Sequence, residues 1–406
     1  MSVTVDIYDP DLYVRGVPHD LFTELRNSTP VFWQPMPGLD GAESGYWAVM
    51  RHADVVEVSR NSDIYSATEG GVVLEDLAPA QLTMMRNMLL AMDPPRHTHY
   101  RQPVAPSFKA RIIAGLEPRI RAIVSGILDR AQESGNVEFV HEVTSYLPSQ
   151  IVGELMGIPE EDWPDINRWA EISTSGQDPE INPDAYRTGP SDGVSAMIGY
   201  AMAFAARRRQ EPPLEDLTTL ILGTEFEGRL MTDLDFGSFF NQLVTAGNDT
   251  TKTMLSSGLL SLLEHPDQLA ALRADLSLIP GAVEEILRHA NPLHYFRRTA
   301  VADTTLRGVD IRAGEKIAMM YTSANRDEAV FERSQEFDIR RNPNPHLSFG
   351  IATHFCLGVH LARLEGRIFF EELLRRFGTI ELTGDPVRTR SNLNNALKKL
   401  PVRLAA

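Results

Sequence analysis

The chain has 406 residues, 43 % hydrophobic and 23 % charged, the balance of a folded protein with a large core rather than a disordered or fibrous chain. Acidic residues outnumber basic ones 55 to 39, and the formal charge of −16 argues against nonspecific nucleic-acid binding, although a local basic patch would still suit an acidic protein partner. One cysteine excludes an internal disulfide framework and any multi-cysteine zinc or iron–sulfur site, but not a single thiolate holding one metal.

The N-terminus, MSVTVDIYDPDLYVRGVPHD, has no basic n-region followed by an apolar run, so it does not read as a signal peptide. Nowhere do about 18 apolar residues run together, the length that a membrane helix needs. The expectation is a cytoplasmic protein without a membrane anchor. Short strands are expected at VFWQP (31–35) and GYWAVM (45–50), which are aromatic-rich and bounded by Pro and Gly. RHADVVEVSRN then reads as a helix. Over 66–92 a Gly-Gly break predicts a loop, and a methionine-rich run predicts a loop or short helix. DPPRHTHYRQPVAPSF starts as a helix does and is expected to break at Pro103 and Pro106.

Residues 110–210 are mainly helical in pattern, interrupted by a long polar loop over 174–193 and resuming at about 194–209. The longest helical pattern runs from about 234 to 264. It is nearly uncharged in its middle, which predicts burial on most faces. Helical segments at 266–275 and 280–289 follow, then short strands within 295–320 and an irregular stretch over 325–355. A helix at about 357–376 and small strands around a turn at SNLNNA complete the chain. Residues 1–406 read as one mostly helical unit with minor sheet, without an internal repeat or linker.

The cysteine stands in HLSFGIATHFCLG, between an irregular stretch and an amphipathic helix. A sulfur just ahead of a helix start lies near orphan backbone N–H groups, which favour a thiolate. Gly350 and Gly358 allow close backbone approach to something flat or bulky. One reading is a soft anionic ligand facing an apolar enclosure. A buried core cysteine and a nucleophile with His354 as base are the others.

The middle of the long helix, LVTAGNDTTKTM, is an odd choice for a buried segment. Gly costs about 1 kcal/mol there, an unpaired buried Asp costs more, and Thr loosens the turn by bonding the i−4 carbonyl. A surface kink is one reading. A deliberate opening that holds something small and relays protons is the other. AVEEILRHA places Glu285 and Arg288 at i,i+3, a pair worth only about 0.2–0.5 kcal/mol if exposed.

HLSFGIATHFCLG resembles the heme-binding loop of the cytochrome P-450 monooxygenases, FGxGxHxCxG. Phe349, Gly350, His354, Cys356 and Gly358 match. Ala352 stands where the family has Gly, which implies a backbone there that tolerates a side chain. Ala246, Gly247, Asp249, Thr250 and Thr251 resemble the oxygen-activation motif (A/G)Gx(D/E)T(T/S), and Glu285 with Arg288 resembles the family's ExxR. ANRD (324–327) also fits, and the likeness spans essentially the whole chain in family order.

The resemblance implies the cytochrome P-450 fold, mostly α with minor β, with a long central helix over heme b. It implies Cys356 as the iron's thiolate ligand, with Phe349 against the sulfur and porphyrin. Ala246 and Gly247 would leave room for O2 and substrate, Thr250 would hydrogen-bond bound dioxygen, and Asp249 would deliver protons. Glu285, Arg288 and a third partner, Arg341 or the neighbouring Arg340, would be structural. His97, Arg101, Arg298 and His354 would hold the heme propionates, with His99 and Arg297 passed over. The substrate pocket would use Val72, Val73, Met85, Met88, Leu89, Leu243, Val244, Pro292, Leu293 and Leu397 beside Ala246, a lining that suits a hydrophobic small molecule.

PNPHLSFG and NPLHYFRRTA are similar to bacterial members that hydroxylate terpenoids, branched lipids, steroid side chains or alkanes. In the soluble bacterial type, electrons come from NAD(P)H through a ferredoxin reductase and a ferredoxin. A peroxide-using or non-hydroxylating member of the family, and a non-catalytic heme or apolar-ligand carrier, are the alternatives.

Overall fold

The computed structural model describes residues 6–39, 42–175, 177–183 and 192–406. The aromatic runs form the strands Val31–Pro37 and Glu43–Val49, paired antiparallel from Val31↔Val49 to Pro37↔Glu43. Strand Lys316–Met320 joins in parallel, with Ile317 opposite Trp47. Tyr295–Ala300 and Tyr65–Ser66 complete a five-stranded sheet. Strand side chains alternate between faces, so each face meets its own helix. Helix α1 (His19–Ser28) lays Phe22 beside Tyr46 and Ala318, and α2 (His52–Arg60) lays Val55 and Val58 beside Ile317 and Met319.

The methionine-rich run supplies α3 (Pro79–Arg86). Helix α4 (Arg96–Val104) contains Pro103 and gives way to a 3-10 turn over Ala105–Phe108. The expected break at Pro103 is therefore corrected. Proline removes one N–H in the last turn, and the Ala105 N–H still reaches the Arg101 carbonyl. A helical layer follows: α5 (Ala110–Ala114), α6 (Glu117–Ser134), α7 (Tyr146–Met156), α8 (Trp163–Thr174), α9 (Asp192–Arg208) and α10 (Leu217–Leu222). Of the loop expected over 174–193, residues 176 and 184–191 lie outside the described residues, and 177–183 form turns.

Helix α11 (Asp233–Glu264) has 32 residues, about 48 Å at 1.5 Å per residue. Thr232 caps it, accepting from the Asp235 N–H while the Asp235 carboxylate takes the Thr232 N–H. It ends at His265, just ahead of Pro266 and α12 (Pro266–Ala274). Helices α7, α8, α9, α13 (Ile279–His289) and α15 (Val359–Arg376) all pack against it. The short α14 (Tyr321–Ala324) leads from the sheet into a meander. At the C-terminus, Thr379–Leu382 pairs with Pro401–Ala405, which also pairs with Asn136–Glu138. Among the described residues, no helix is long and apolar enough to cross a membrane.

The acid–arginine pair is wholly buried, not a surface pair. Glu285 receives Arg288 at 2.7 and 2.8 Å, Arg341 at 3.1 Å and the Asp338 N–H at 2.8 Å. Arg288 in turn donates to the carbonyls of Asn325, Ser334 and Glu336. Of the two arginines weighed as third partner, Arg341 occupies the place. Together these bonds pin the meander onto α13. Glu285→Ala would leave two buried guanidinium groups without their carboxylate. A loss of about 3–5 kcal/mol in urea unfolding is expected, and a loss below about 1 kcal/mol would contradict this role.

Helix α15 buries one carboxyl, Glu365, whose Oε2 has no hydrogen-bond partner among the described residues. Burial pushes it from the usual 4.5 up to about 8. The folded chain then keeps a proton that the unfolded chain releases. This contribution to stability is complete below pH about 4.5 and is lost as pH rises toward 8. Glu365→Gln is expected to raise stability at pH 8 relative to pH 5 by roughly 2–4 kcal/mol against the parent. Unfolding curves of both proteins that shift in parallel with pH would contradict the assignment.

Candidate active site

The cysteine loop is a tight hairpin. The Cys356 N–H donates to the Phe349 carbonyl at 2.8 Å, and the Gly350 N–H to Leu347 at 2.9 Å. Gly350 has φ +65° and Ala352 φ +58°. The expectation that alanine implies a side-chain-tolerant backbone is corrected: Ala352 sits in the left-handed region, at a cost of about 1–2 kcal/mol. Helix α15 starts at Val359, and the Gly358 N–H favours the Cys356 thiolate. Burial pushes this thiol up, against that N–H, Arg101 and Arg363. A coordinated cation would reverse the balance. Phe349 lines the same cavity as Cys356, with Arg363 5.0 Å from its ring centre on α15.

Cys356 opens into a cavity of about 270 Å³, to which α11 contributes Ala246, Gly247, Thr250 and Thr251. The helix runs unbroken and buried through this segment, so the reading as a surface kink is corrected. The Thr250 hydroxyl donates to the Ala246 carbonyl at 2.7 Å, satisfying itself locally. Glycine at 247 serves close approach, since a Cβ there would stand 2.6 Å from Val152 Cγ2 of α7. Asp249 is buried but lies outside the cavity lining. Its Oδ1 meets Lys252 Nζ at 2.9 Å, and that amine meets Glu171 Oε1 of α8 at 3.1 Å. Burial raises the Asp249 pKa and Lys252 lowers it, for a net rise. Sequence reasoning missed Lys252 and Glu171, because only the fold brings α8 to α11.

His97, Arg101, Arg298 and His354 gather on the wall of this cavity. The rings of His97 and His354 stand edge to face, 4.6 Å between centres. Arg298 donates to its neighbour's carbonyl at 2.8 Å and Arg101 to the Thr353 carbonyl at 3.5 Å. The ion pairs among the described residues include neither arginine, and His354 Nε2 is buried there without a partner. Burial and the positive charge of Arg298 and Arg101 push His354 down to about 2, and burial with Arg101 pushes His97 down to about 4. Such a cluster, with an orphaned nitrogen and no carboxylate in ion-pair contact among the described residues, fits a dianionic ligand rim such as two propionates. His99 is exposed, and Arg297 turns away to the carbonyls of Val73 and Glu75.

Of the expected pocket residues, Val72, Leu89, Leu243, Ala246, Pro292 and Leu293 line the cavity. Val73, Met85, Met88, Val244 and Leu397 do not. Val244 is one residue, or 100°, around α11 from Leu243 and is wholly buried against the helical layer. Leu397 lies in the main core, and Met85 packs over Gly71 and Val72. Val73 gives its carbonyl to Arg297, and Met88 follows the end of α3. Leu90, Phe108, Val152, Leu155, Met156, Leu217, Gln242 and Phe296 line the cavity and were not anticipated. Phe108, Val152, Leu155, Met156 and Leu217 come from segments that gave no local sign of a ligand, while Leu90, Gln242 and Phe296 neighbour expected site residues.

Residues 194–404 match the family model for cytochrome P-450. The chain is 36 % identical over 403 residues to a steroid C26-monooxygenase of Rhodococcus jostii, across 98 % of this chain and 84 % of that one. It is 34 % identical to a linalool 8-monooxygenase of Pseudomonas putida, across 98 % of each. A solved Mycobacterium marinum cytochrome P-450 in complex with pseudoionone superposes with a TM-score of 0.87 at 38 % identity, covering 95 % of this chain and 94 % of that one. Thiol loop, buried acid–arginine cluster, long central helix and full-length relatives agree: the chain belongs to the cytochrome P-450 family of heme-thiolate monooxygenases.

Proposed function

We propose that the protein hydroxylates a branched hydrocarbon substrate, a terpenoid or steroid side chain, using O2 and electrons from NAD(P)H relayed by a ferredoxin reductase and a ferredoxin. The observation that carries this reading is the single thiol, the Thr250 turn and the uncompensated cationic rim lining one apolar cavity. Cys356 would hold the iron of heme b, and His97, Arg101, Arg298 and His354 its two propionates. Such a heme would supply the O2 chemistry in which two electrons and two protons accompany insertion of one oxygen atom into a C–H bond and release of the other as water.

This chain's own residues then have separable tasks. The Thr250 hydroxyl holds a proton at the cavity wall, and Asp249 resupplies it from the protein side. Leu89, Val152, Leu243, Leu293 and Phe296 exclude water and orient the hydrocarbon, while Gln242 offers one polar anchor. The names of the relatives support the substrate class: a steroid enzyme, a linalool enzyme and a pseudoionone complex. The presence of both Asp249 and Thr250 favours O2 use over peroxide use.

Helix α5 packs on α15, and around this contact Lys109, Arg111 and His360 are exposed, with Ile112 at 53 % exposure, while Arg363 is paired with Glu284 at 2.7 Å. This is the basic, partly apolar surface that an acidic ferredoxin would use, on a chain otherwise acidic.

Reduced holoprotein treated with carbon monoxide is expected to show the thiolate-type Soret band, and Cys356→Ser to abolish it. A band unchanged by the substitution would contradict the ligand assignment. Pseudoionone is expected to move the ferric protein from low to high spin, and linear alkanes of similar length to do so less. The reverse order would oppose the substrate class. Lys109→Glu with Arg111→Glu is expected to raise the KM for an acidic ferredoxin about tenfold at low salt, with the carbon monoxide spectrum intact. An unchanged KM would remove that surface from consideration.

A further inference from the structure

The stripe of α11 that faces the cavity begins at Gln242. Gln242, Ala246 and Thr250 follow one another at offsets of four, so they share one helix face, and all three line the cavity. The hydroxyls of Ser59, Thr250 and Ser348, also on the lining, are spent on the carbonyls of Val55, Ala246 and Leu287. Gln242 is arranged differently. The Leu90 N–H donates to its Oε1 at 3.4 Å. The two ends of an amide have nearly the same shape, but only the oxygen can meet an N–H, so this bond decides which way the amide faces. Nε2 is turned to the other side, and its two N–H groups meet no acceptor among the described residues. Gln242 is half-buried, and this nitrogen is not among the sealed polar atoms of α11.

A braced amide thus offers donors to a cavity whose wall is otherwise apolar at Leu89, Leu243 and Leu293. A site with unmet donors favours a ligand that brings an acceptor over one of the same shape without it. A carbonyl oxygen suits it best, because it accepts and has no hydrogen of its own to place. A carboxylate would ask for a cation, and the basic groups of the lining form the propionate rim.

We propose that Gln242 determines specificity: Nε2 donates to the carbonyl oxygen of a ketone substrate and holds the far, branched end of its skeleton beside Ala246 and Thr250. The proposal rests on the reading of this cavity as a hydroxylation site and names the polar group that its substrate carries. It also sets the position of attack. At 1.5 Å per residue, Ala246 and Thr250 lie about 6 and 12 Å along α11 from Gln242. A carbon–carbon bond of about 1.5 Å at about 111° advances roughly 1.25 Å. The carbon oxidised therefore lies roughly five to ten bonds from the carbonyl, a span that includes the branched end of pseudoionone.

The test follows the low- to high-spin shift of the ferric holoprotein with two ligand pairs: pseudoionone and the hydrocarbon of the same skeleton without its oxygen, and a linear methyl ketone and the alkane of equal length. In the parent, each ketone is expected to bind more tightly than its hydrocarbon, and a ratio of one or below would overturn the anchor. Gln242→Met and Gln242→Leu, each with an intact carbon monoxide spectrum, are expected to lower that ratio about two- to tenfold, the weight of one neutral hydrogen bond. An unchanged ratio in both variants would overturn the role of Gln242. With ferredoxin, reductase and NADH, the parent is expected to hydroxylate pseudoionone at its branched end, and the variants to spread oxidation along the chain. Attack by the parent next to the carbonyl would contradict the proposed orientation. If only the linear pair binds, the branched-substrate reading fails and the anchor is decided on that pair. If no ketone binds the parent, the anchor is overturned.

Discussion

His97, Arg101, Arg298 and His354 crowd together on one wall of the cavity, and no carboxylate among the described residues forms an ion pair with Arg101 or Arg298. Burial first, and the neighbouring arginine charge second, push both histidines down, so positive charge is disfavoured on this wall. A chain that elsewhere spends carboxylates freely, at 55 acidic residues to 39 basic, leaves this wall unpaired. On the reading proposed above, an anion completes this wall, and the two heme propionates would supply it. If the wall holds the cofactor in this way, heme binding would add to the stability of the folded state by mass action.

Around that constraint the remaining structure divides into a rigid frame and a working helix. The frame is the wholly buried Glu285–Arg288–Arg341 cluster, which ties the meander before the cysteine loop to α13. The working helix is α11, and its two faces differ in kind. One presents Ala246, Gly247 and Thr250 to an apolar cavity, and the other carries buried polar atoms without a partner among the described residues. Asp249 sits at the boundary between them, buried and bonded to Lys252.

The parts of this site that are contiguous in the chain are the parts that the sequence reveals. The thiol loop, the Asp249–Thr250 turn and the i,i+3 acid–arginine pair each fit within a few residues, so spacing alone displays them. Features that need two distant segments stay hidden. Glu171 meets Lys252 only when α8 packs on α11. Val152 and Phe108 reach the cavity only through the packing of their helices. Adjacent residues also mislead when helical phase is ignored: Leu243 lines the cavity, and Val244, next to it, is sealed in the core. Ala352 shows a third limit. Its left-handed φ is fixed by the hairpin that closes from Cys356 to Phe349, and the fold imposes that conformation on a residue whose identity argues against it.

The claim that the cationic wall is the anchor of the cofactor is tested most directly by comparing two ligands for the apoprotein: heme and its dimethyl ester, which keeps the macrocycle and iron but carries no propionate charge. With charge-assisted hydrogen bonds worth about 1.5–3 kcal/mol each, heme should bind roughly 10²–10⁴-fold more tightly than the ester. Equal affinities would mean that the wall's charge serves some other anion, and the electrostatic basis for this cavity would be wrong.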